Sequence, residues 1–139
     1  MAERPLVILV DTSVWAAFFN GRDLPEVAFL DGLLGDGEQD VVIIGVILTE
    51  VLQGFRTDKG FDQAREALIG LPVFDPTLEV YVGAARLYRR LRRKGITVRG
   101  AVDALIAEMC ITLNAAILTL DSDFKRIADH SQLQLARPA

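Results

Sequence analysis

Short apolar runs alternate along the chain with stretches whose apolar residues recur at helical spacing. Leu6–Val10 is a continuous apolar run rich in β-branched residues, which predicts a strand buried on both faces. The runs Val41–Ile44 and Ala116–Leu120 predict two further strands of the same kind. Pro72–Phe74 and Leu133–Leu135 predict two short strands, the second at an edge of the sheet.

Helical spacing and capping residues define the segments between these strands. A helix is predicted directly after Asp11-Thr12-Ser13, whose side chains are suited to capping, and another begins at Pro25 and stops at the Gly35-Asp36-Gly37 turn. Further helices are predicted through Glu50 to Arg56, and over 61–69, 77–93, 101–113 and 122–128.

Three of these helices have an apolar stripe that predicts the face toward the core. The stripes consist of Val27, Leu30 and Leu34 in the second helix, Val80, Ala84, Leu87 and Leu91 in 77–93, and Val102, Leu105, Ile106, Met109, Cys110 and Leu113 in 101–113.

Strands that alternate with helices predict an α/β fold with a mostly parallel sheet and helices on both sides. The length of 139 residues suits one domain, so we expect residues 1–139 to form a single unit. In such folds the binding crevice lies beyond the carboxyl ends of the strands. Functional residues are therefore expected directly after the apolar runs.

Composition excludes several classes of protein and site. The chain is 51% hydrophobic and 24% charged, which is unlike a disordered protein. A lone cysteine, Cys110, excludes an internal disulfide framework and cysteine-rich metal sites, and a lone histidine, His130, argues against a usual catalytic zinc site. No apolar run approaches the roughly 18–20 residues of a membrane span. We expect a cytoplasmic protein with no membrane partner.

Charge is distributed unevenly. Residues 1–75 have 13 acidic and five basic side chains, whereas residues 76–139 have six acidic and ten basic ones. Six of these bases lie between Arg86 and Lys94, and four of them share one helix face at i, i+3, i+4 and i+7. An acidic chain with such a patch can still bind a polyanion, although a solvated helix face explains the pattern equally well.

Five acidic residues occupy positions that point to chemistry. Asp11 follows the first strand directly, and Asp121 and Asp123 follow the strand at 116–120, so all three are expected at the same edge of the sheet. Glu50 and Asp103 lie within or beside apolar stretches, where an ionised carboxylate needs an ion pair, hydrogen bonds or a metal ion. Thr12, Ser13 and Thr119 can donate hydrogen bonds to such carboxylates, or act as plain caps.

Together these acids predict an all-oxygen site that suits Mg²⁺, with Mn²⁺ as an alternative. Four converging carboxylates would repel one another, and a divalent cation removes that penalty. A site of this kind can polarise a phosphodiester and activate water for in-line attack. The Arg86–Lys94 face could then hold the flanking backbone of a nucleic acid.

The acids lie in four segments that resemble the acidic motifs of PIN domains, in the same order along the chain. The segments are LVDTSVW around Asp11, ILTEVLQG around Glu50, VDALIAEM around Asp103, and TLDSDFKRIA with Asp121 and Asp123. The whole chain resembles the VapC-type toxins of toxin–antitoxin pairs. The resemblance implies a three-layer α/β/α PIN-like domain and a metal-dependent endoribonuclease that is the toxin of a type II system.

The resemblance also implies a site and partners. Asp11 and Asp103 would be metal ligands, Glu50 and Asp121 would complete the catalytic set, and either Asp121 or Asp123 would face the metal. Many relatives have a basic or amide residue where this chain has Leu120 and Asp121. The expected partners are an RNA substrate, a second copy in a homodimer, and a VapB-type antitoxin whose helix would lie between the second helix and the Glu50 helix.

Other functions are compatible with parts of the pattern. A receiver-like phosphoacceptor domain would have adjacent acids after its first strand and a lysine after a late strand, whereas this chain has one acid there, and Lys125 falls inside a predicted helix. A dehalogenase-type phosphatase would need an aspartate at the position of Ser13. A non-catalytic binding module remains an alternative that the sequence alone leaves open.

Overall fold

A central sheet of five parallel strands organises the computed structural model, which describes residues 7–37 and 40–138. The strand order is β3-β2-β1-β4-β5, so the first strand lies in the middle of the sheet. The strands are β1 (Val7–Val10), β2 (Asp40–Ile44), β3 (Val73–Phe74), β4 (Ala116–Leu118) and β5 (Gln134–Leu135). The prediction of a parallel sheet is confirmed. The first strand was predicted to begin at Leu6, which lies outside the described residues.

In the part of the chain that the structure describes, seven helices flank this sheet and complete a three-layer α/β/α arrangement. The helices are α1 (Thr12–Phe19), α2 (Pro25–Asp36), α3 (Gly45–Leu52), α4 (Asp58–Ile69), α5 (Leu78–Arg93), α6 (Ala101–Leu113) and α7 (Ser122–Asp129). Within the two described ranges, no helix is both long enough and apolar enough to cross a bilayer.

The apolar runs of β1, β2 and β4 form the centre of the core because both faces of each strand are covered. Ile8, Leu9 and Val10 are at most 2% exposed, as are Ile43 and Ile44 on β2. The stripe predicted on α5 is confirmed, since Val80, Ala84, Leu87 and Leu91 are all buried against the core. Cys110 is fully buried, as expected for a small apolar side chain.

Two stripe predictions were partly wrong. On α2 the sequence favoured Leu34, which is 43% exposed, whereas the neighbouring Leu33 is buried at 4%. A turn of 100° per residue puts Leu33 and Leu34 on opposite sides of Leu30, and α2 buries the Leu33 side. On α6 the sequence placed Val102 in the core, yet it is 39% exposed because it faces an open groove beside α5.

Several helices and one strand begin or end at other residues than the sequence predicted. The helix through Glu50 ends at Leu52 and not at Arg56, and the next begins at Asp58 and not at Phe61. Thr57 caps α4, because its hydroxyl accepts a hydrogen bond from the Gly60 N–H at 3.1 Å. The strand predicted to reach Leu120 ends at Leu118, as the two following residues turn toward α7.

Candidate metal centre and active site

Asp11 lies at the carboxyl edge of the sheet, directly after β1 and beside the end of β4. The two strands are neighbours in register, with Val10 opposite Leu118. The backbone N–H of Asp11 donates to the carbonyl oxygen of Leu118 at 3.1 Å. The segment that connects β4 to α7 therefore passes beside Asp11, and this placement confirms the shared edge predicted for Asp11 and Asp121.

The Asp11 carboxylate is buried, at 4% exposure, and caps α1. Its Oδ1 accepts from the Ser13 N–H (3.0 Å), the Ser13 hydroxyl (2.5 Å) and the Val14 N–H (3.3 Å). Its Oδ2 accepts from the Thr119 hydroxyl at 2.5 Å. Burial raises the pKa of Asp11, while the hydrogen bonds from Ser13 and Thr119 partly oppose that rise.

The same two hydroxyls connect Asp11 to the segment that leaves β4. Ser13 Oγ accepts from the Leu120 N–H and Thr119 Oγ1 accepts from the Asp121 N–H, each at 2.9 Å. Each hydroxyl thus donates to Asp11 and accepts from the backbone of the neighbouring loop. The carboxylate contacts considered for Ser13 and Thr119 from sequence are present, and they fix Asp11 relative to Asp121.

Asp103, Asp121 and Asp123 form a compact group of carboxylates, and each offers one oxygen within 4.8 Å of the others. Asp103 lies in the first turn of α6, while Asp121 and Asp123 lie at the start of α7. Asp121 caps α7, because its Oδ1 accepts from the Asp123 N–H at 2.9 Å. The group therefore combines two helix N-termini at the edge of the sheet.

The electrostatics of Asp103 reflect this crowding. Partial burial raises the pKa of Asp103, and the nearby charges of Asp121, Asp123 and Glu50 raise it further. The positive charge of Arg99 acts in the opposite direction. Like charges at this spacing favour a cation among them.

Arg99 supplies part of that positive charge. Its Nη2 and Nε donate to Asp123 Oδ2 at 2.7 and 3.2 Å, and Nη2 lies 3.4 Å from Asp121 Oδ2. Arg126 adds a weaker contact, 3.4 Å from Asp123 Oδ1. Both arginines are largely exposed, since their side chains are 69% and 49% accessible. Solvent can therefore replace them at the carboxylates.

Glu50 reaches the same edge from α3. Its Oε1 accepts from the Thr12 hydroxyl at 3.1 Å, which ties α3 to the start of α1 next to Asp11. The charge of Glu50 also contributes to the raised pKa of Asp103. The structure thus gathers Asp103, Asp121 and Asp123 into one group and brings Glu50 and Asp11 to the same edge through hydroxyl contacts.

A family model for the PIN domain matches residues 8–130, which is most of the chain. The chain belongs to the PIN-domain family. The match includes all four acidic segments singled out from sequence, so the resemblance inferred from their order is confirmed.

Relatives of known name cover nearly the whole of this PIN domain. It is 33% identical over 132 residues to VapC ribonuclease Mb1587 of Mycobacterium bovis, and the match covers 94% of this chain and 98% of the relative. The same values hold for ribonuclease VapC11 of Mycobacterium tuberculosis.

Solved structures confirm the fold. The structure of VapBC2 from Rickettsia felis, bound to a DNA fragment from its promoter, matches with a TM-score of 0.75 at 20% identity, covering 94% of this chain and 97% of that one. DNA-bound VapBC from Salmonella typhimurium matches with a TM-score of 0.76 at 17% identity, with the same coverage.

Sequence reasoning missed Arg99 as a member of the site. The basic residues singled out from sequence lie between Arg86 and Lys94, and Arg99 lies outside that segment. Arg99 lies just before α6, however, and the turn into that helix carries its guanidinium to the start of α7. The one sequence feature that could have indicated a contact is that Arg99 lies four residues before Asp103. This spacing brings side chains together within a helix, but it means little outside one.

Proposed function

We propose that this PIN domain is a metal-dependent endoribonuclease and the toxin of a type II toxin–antitoxin pair. The observation that carries the proposal is the group of Asp103, Asp121 and Asp123, whose oxygens lie within 4.8 Å at the carboxyl edge of the sheet. The 33% identity to VapC ribonucleases over 94% of the chain supports the same activity. RNA is the substrate, and the proposed location is the cytoplasm.

The residues present fit a divalent cation of the magnesium type. The donor set is entirely oxygen, which suits Mg²⁺ or Mn²⁺. We propose Asp11, Glu50, Asp103 and Asp121 as the catalytic carboxylates that hold the ion, with Asp123 as a further ligand. Asp11 retains capacity for this role, because its Oδ2 accepts one hydrogen bond and a carboxylate oxygen has two lone pairs.

The protein's own side chains prepare this site before any substrate arrives. Ser13 and Thr119 hold the Asp11 carboxylate in one orientation, and Thr12 holds Glu50. These hydroxyls reduce the reorganisation that the reaction would otherwise require. Arg99 instead neutralises Asp121 and Asp123 in the free protein, and its exposed guanidinium can leave them when a cation binds.

Bound to these carboxylates, Mg²⁺ would offset their mutual repulsion, polarise the phosphodiester and lower the pKa of the attacking water. Before an ion binds, partial burial raises the pKa of Asp103, and the charges of Asp121, Asp123 and Glu50 raise it further. Arg86, Arg90 and Arg93 lie on the exposed face of α5, where they can bind the RNA backbone that flanks the cleaved bond.

We also propose an antitoxin partner that binds beside the acidic edge. Both α2 and α3 pack against α1, so the two helices flank the helix that follows Asp11. A VapB-type helix bound between α2 and α3 would cover the approach to Glu50. Phe19 at the end of α1 and Phe55 just after α3 form an edge-to-face aromatic pair beside this region.

The first test is RNA cleavage by the purified, antitoxin-free chain with Mg²⁺ or Mn²⁺. We expect cleavage that EDTA abolishes and that Asp11→Asn lowers by at least a hundredfold, because a ligand carboxylate is lost. Asp23→Asn, which removes a carboxylate from an exposed loop, is the matched control and should leave the rate unchanged.

Two results would contradict the proposal. Cleavage that persists in EDTA or in Asp11→Asn would mean that the activity arises elsewhere. If the folded chain binds Mn²⁺ in calorimetry but cleaves no cellular RNA, the binding-module alternative would replace the nuclease. Circular dichroism of each variant separates these outcomes from a loss of fold.

A further inference from the structure

A small polar pocket lies between α5, α6 and the turn that follows α7, outside the acidic site. Its volume is about 210 Å³, which is below the roughly 300–1,000 Å³ of pockets for drug-sized ligands and suits a single ring system. The pocket combines basic side chains with one carboxylate and one amide. The residues that line it are Gly83, Arg86, Arg90, Glu108, Ile111 and Gln132.

Glu108 is the residue of this pocket that needs an explanation. It is partly buried on α6 and shares the pocket with Arg86 and Arg90, yet it forms no ion pair with any residue that the structure describes. Both arginines belong to the face of α5 that is proposed to bind the RNA backbone. A carboxylate within such a face repels phosphates, so it favours RNA only where it meets a hydrogen-bond donor.

Gly83 determines where this carboxylate lies. A Cβ atom at position 83 would be 2.7 Å from Glu108 Oε2 and 3.0 Å from its carboxyl carbon. The absence of a side chain at Gly83 therefore allows the Glu108 carboxylate to lie close to the backbone of α5. The acceptor is held at the wall of the pocket although no ion pair holds it there.

We infer that this pocket binds a guanine base of the RNA substrate and that Glu108 selects this base. The inference rests on the proposed function, because it specifies the RNA that the domain would cleave. An RNA can offer base N–H groups and 2′-hydroxyls to a carboxylate. Among the four bases, guanine presents two donors on neighbouring atoms, N1–H and the N2 amino group, which can pair with both oxygens of one carboxylate.

The other residues of the pocket complement the remaining parts of the nucleotide. The Gln132 amide can donate to guanine O6, and Ile111 offers an apolar surface to the face of the ring. Arg86 and Arg90 lie one helical turn apart, so their guanidinium groups can bind the phosphates on either side of the base. Single-stranded RNA is recognised in this way, through unstacked bases whose edges are exposed.

The position of Glu108 relative to the acidic site suits one continuous strand. Glu108 lies five residues after Asp103 on α6, which is about 7.5 Å along the helix axis and about 140° around it. The selected base would therefore lie near the cleaved bond but not at it. Glu108 is a specificity residue in this arrangement, and it contacts no reacting atom.

The test compares guanosine with inosine, which lacks only the N2 amino group. Fluorescence anisotropy measures the binding of short oligouridines that contain one guanosine or one inosine, with Asp103→Asn protein so that no strand is cleaved. We expect guanosine to bind about tenfold more tightly, because inosine loses one hydrogen bond to a charged group. Glu108→Gln should lower this ratio to about twofold or less, since its amide has one acceptor. Glu66→Gln makes the same change on the exposed face of α4 and should leave the ratio unchanged.

A second variant displaces the carboxylate without removing its charge. The methyl group of Gly83→Ala would push the Glu108 carboxylate away from α5 and should also lower the ratio, while alanine is favourable within a helix. Gly32→Ala adds a methyl group to α2, where no other described part of the chain lies within 4 Å, and should leave the ratio unchanged. Circular dichroism verifies that each variant is folded.

Equal affinities for guanosine and inosine, or a preference that survives in Glu108→Gln, would overturn the inference. If guanosine monophosphate binds in a way that depends on Glu108 while the oligonucleotides show no preference, the pocket takes a free nucleotide and the assignment to RNA is wrong. Because binding is measured without cleavage, a chain that cleaves RNA but does not prefer guanosine would retain the proposed function and contradict only the role of this pocket.

Discussion

At the scale of single residues, burial is the main cause of the raised pKa of both Asp11 and Asp103, and the two carboxylates differ in what acts beside it. Burial dominates for Asp11, and four hydrogen bonds stabilise its ionised form against that burial. Asp103 is only partly buried, and neighbouring acids add to the effect. Asp11 thus acts mainly as a fixed structural carboxylate in the free protein, whereas the pKa of Asp103 also depends on the charges of the acids around it.

We expect Asp11→Asn to be more stable than the wild type at neutral pH when metal is removed. A folded-state pKa above 3.8 means that ionisation of Asp11 opposes folding, so stability present below pH 3.8 is lost as the pH rises through the folded pKa. The amide stays neutral and avoids this loss. Each kcal/mol gained would raise the Tm by about 3–5 °C at this chain length.

Thermal unfolding in EDTA at pH 7.5 and at pH 4 measures this difference. The difference in Tm between Asp11→Asn and the wild type should become smaller toward acid pH, where the wild-type carboxyl becomes protonated. Asp23→Asn, in an exposed loop, should show no gap at either pH. A gap that widens toward acid pH would contradict the explanation by burial.

Arg99→Gln should bind Mn²⁺ more tightly than the wild type. The guanidinium occupies oxygens of Asp121 and Asp123 that the ion needs, and its positive charge opposes the approach of the ion. Coulomb's law in water at about 6 Å, reduced by salt, gives about threefold to tenfold tighter binding. Isothermal titration calorimetry checks this, and cleavage assays at saturating metal show whether Arg99 also assists the reaction.

Arg65→Gln is the matched control, since it removes the same charge from α4, and Arg65 makes no ion pair with any residue that the structure describes. Equal affinities of Arg99→Gln and Arg65→Gln would mean that Arg99 does not compete with the metal.

At the scale of helices and strands, sequence predicted what local patterns determine. The buried strands and the α5 stripe followed from runs and periodicity, and the shared edge of Asp11 and Asp121 followed from the order of elements. The side on which α2 packs depends on tertiary contacts, so Leu33 and Leu34 could not be distinguished from spacing alone. Arg99 reaches the acids through a turn whose path depends on how α6 and α7 pack.

Leu33→Ala should therefore destabilise the fold far more than Leu34→Ala. Removal of a buried leucine side chain costs about 2–5 kcal/mol, through lost burial and the cavity that remains. Removal of the partly exposed Leu34 side chain should lower the free energy of unfolding by about 1 kcal/mol or less. Urea unfolding of the two variants measures both values on the same helix, and equal losses would contradict the orientation of α2.

At the scale of the whole molecule, the acidic and the basic side chains are concentrated in different places. The described acids of the site lie at the edge where β1 and β4 end, while the basic residues concentrate on α5. Most of the chain matches one family model, and a single domain over residues 1–139 remains our prediction. The groove between α5 and α6 could not be predicted from sequence, because the exposed parts of these helices depend on the way the two helices meet.

Binding of RNA should depend on salt through the face of α5 that contains Arg86, Arg90 and Arg93. For single strands, each phosphate contact lowers the slope of log affinity against log salt by about 0.7, so the triple Gln variant should flatten it by about 2. Fluorescence anisotropy with catalytically impaired Asp103→Asn protein measures that slope without cleavage. Replacing Arg22, Arg56 and Arg65 by Gln instead removes the same charge from the acidic half and should leave the slope unchanged. An identical slope for both triple variants would mean that RNA follows another path to the acids.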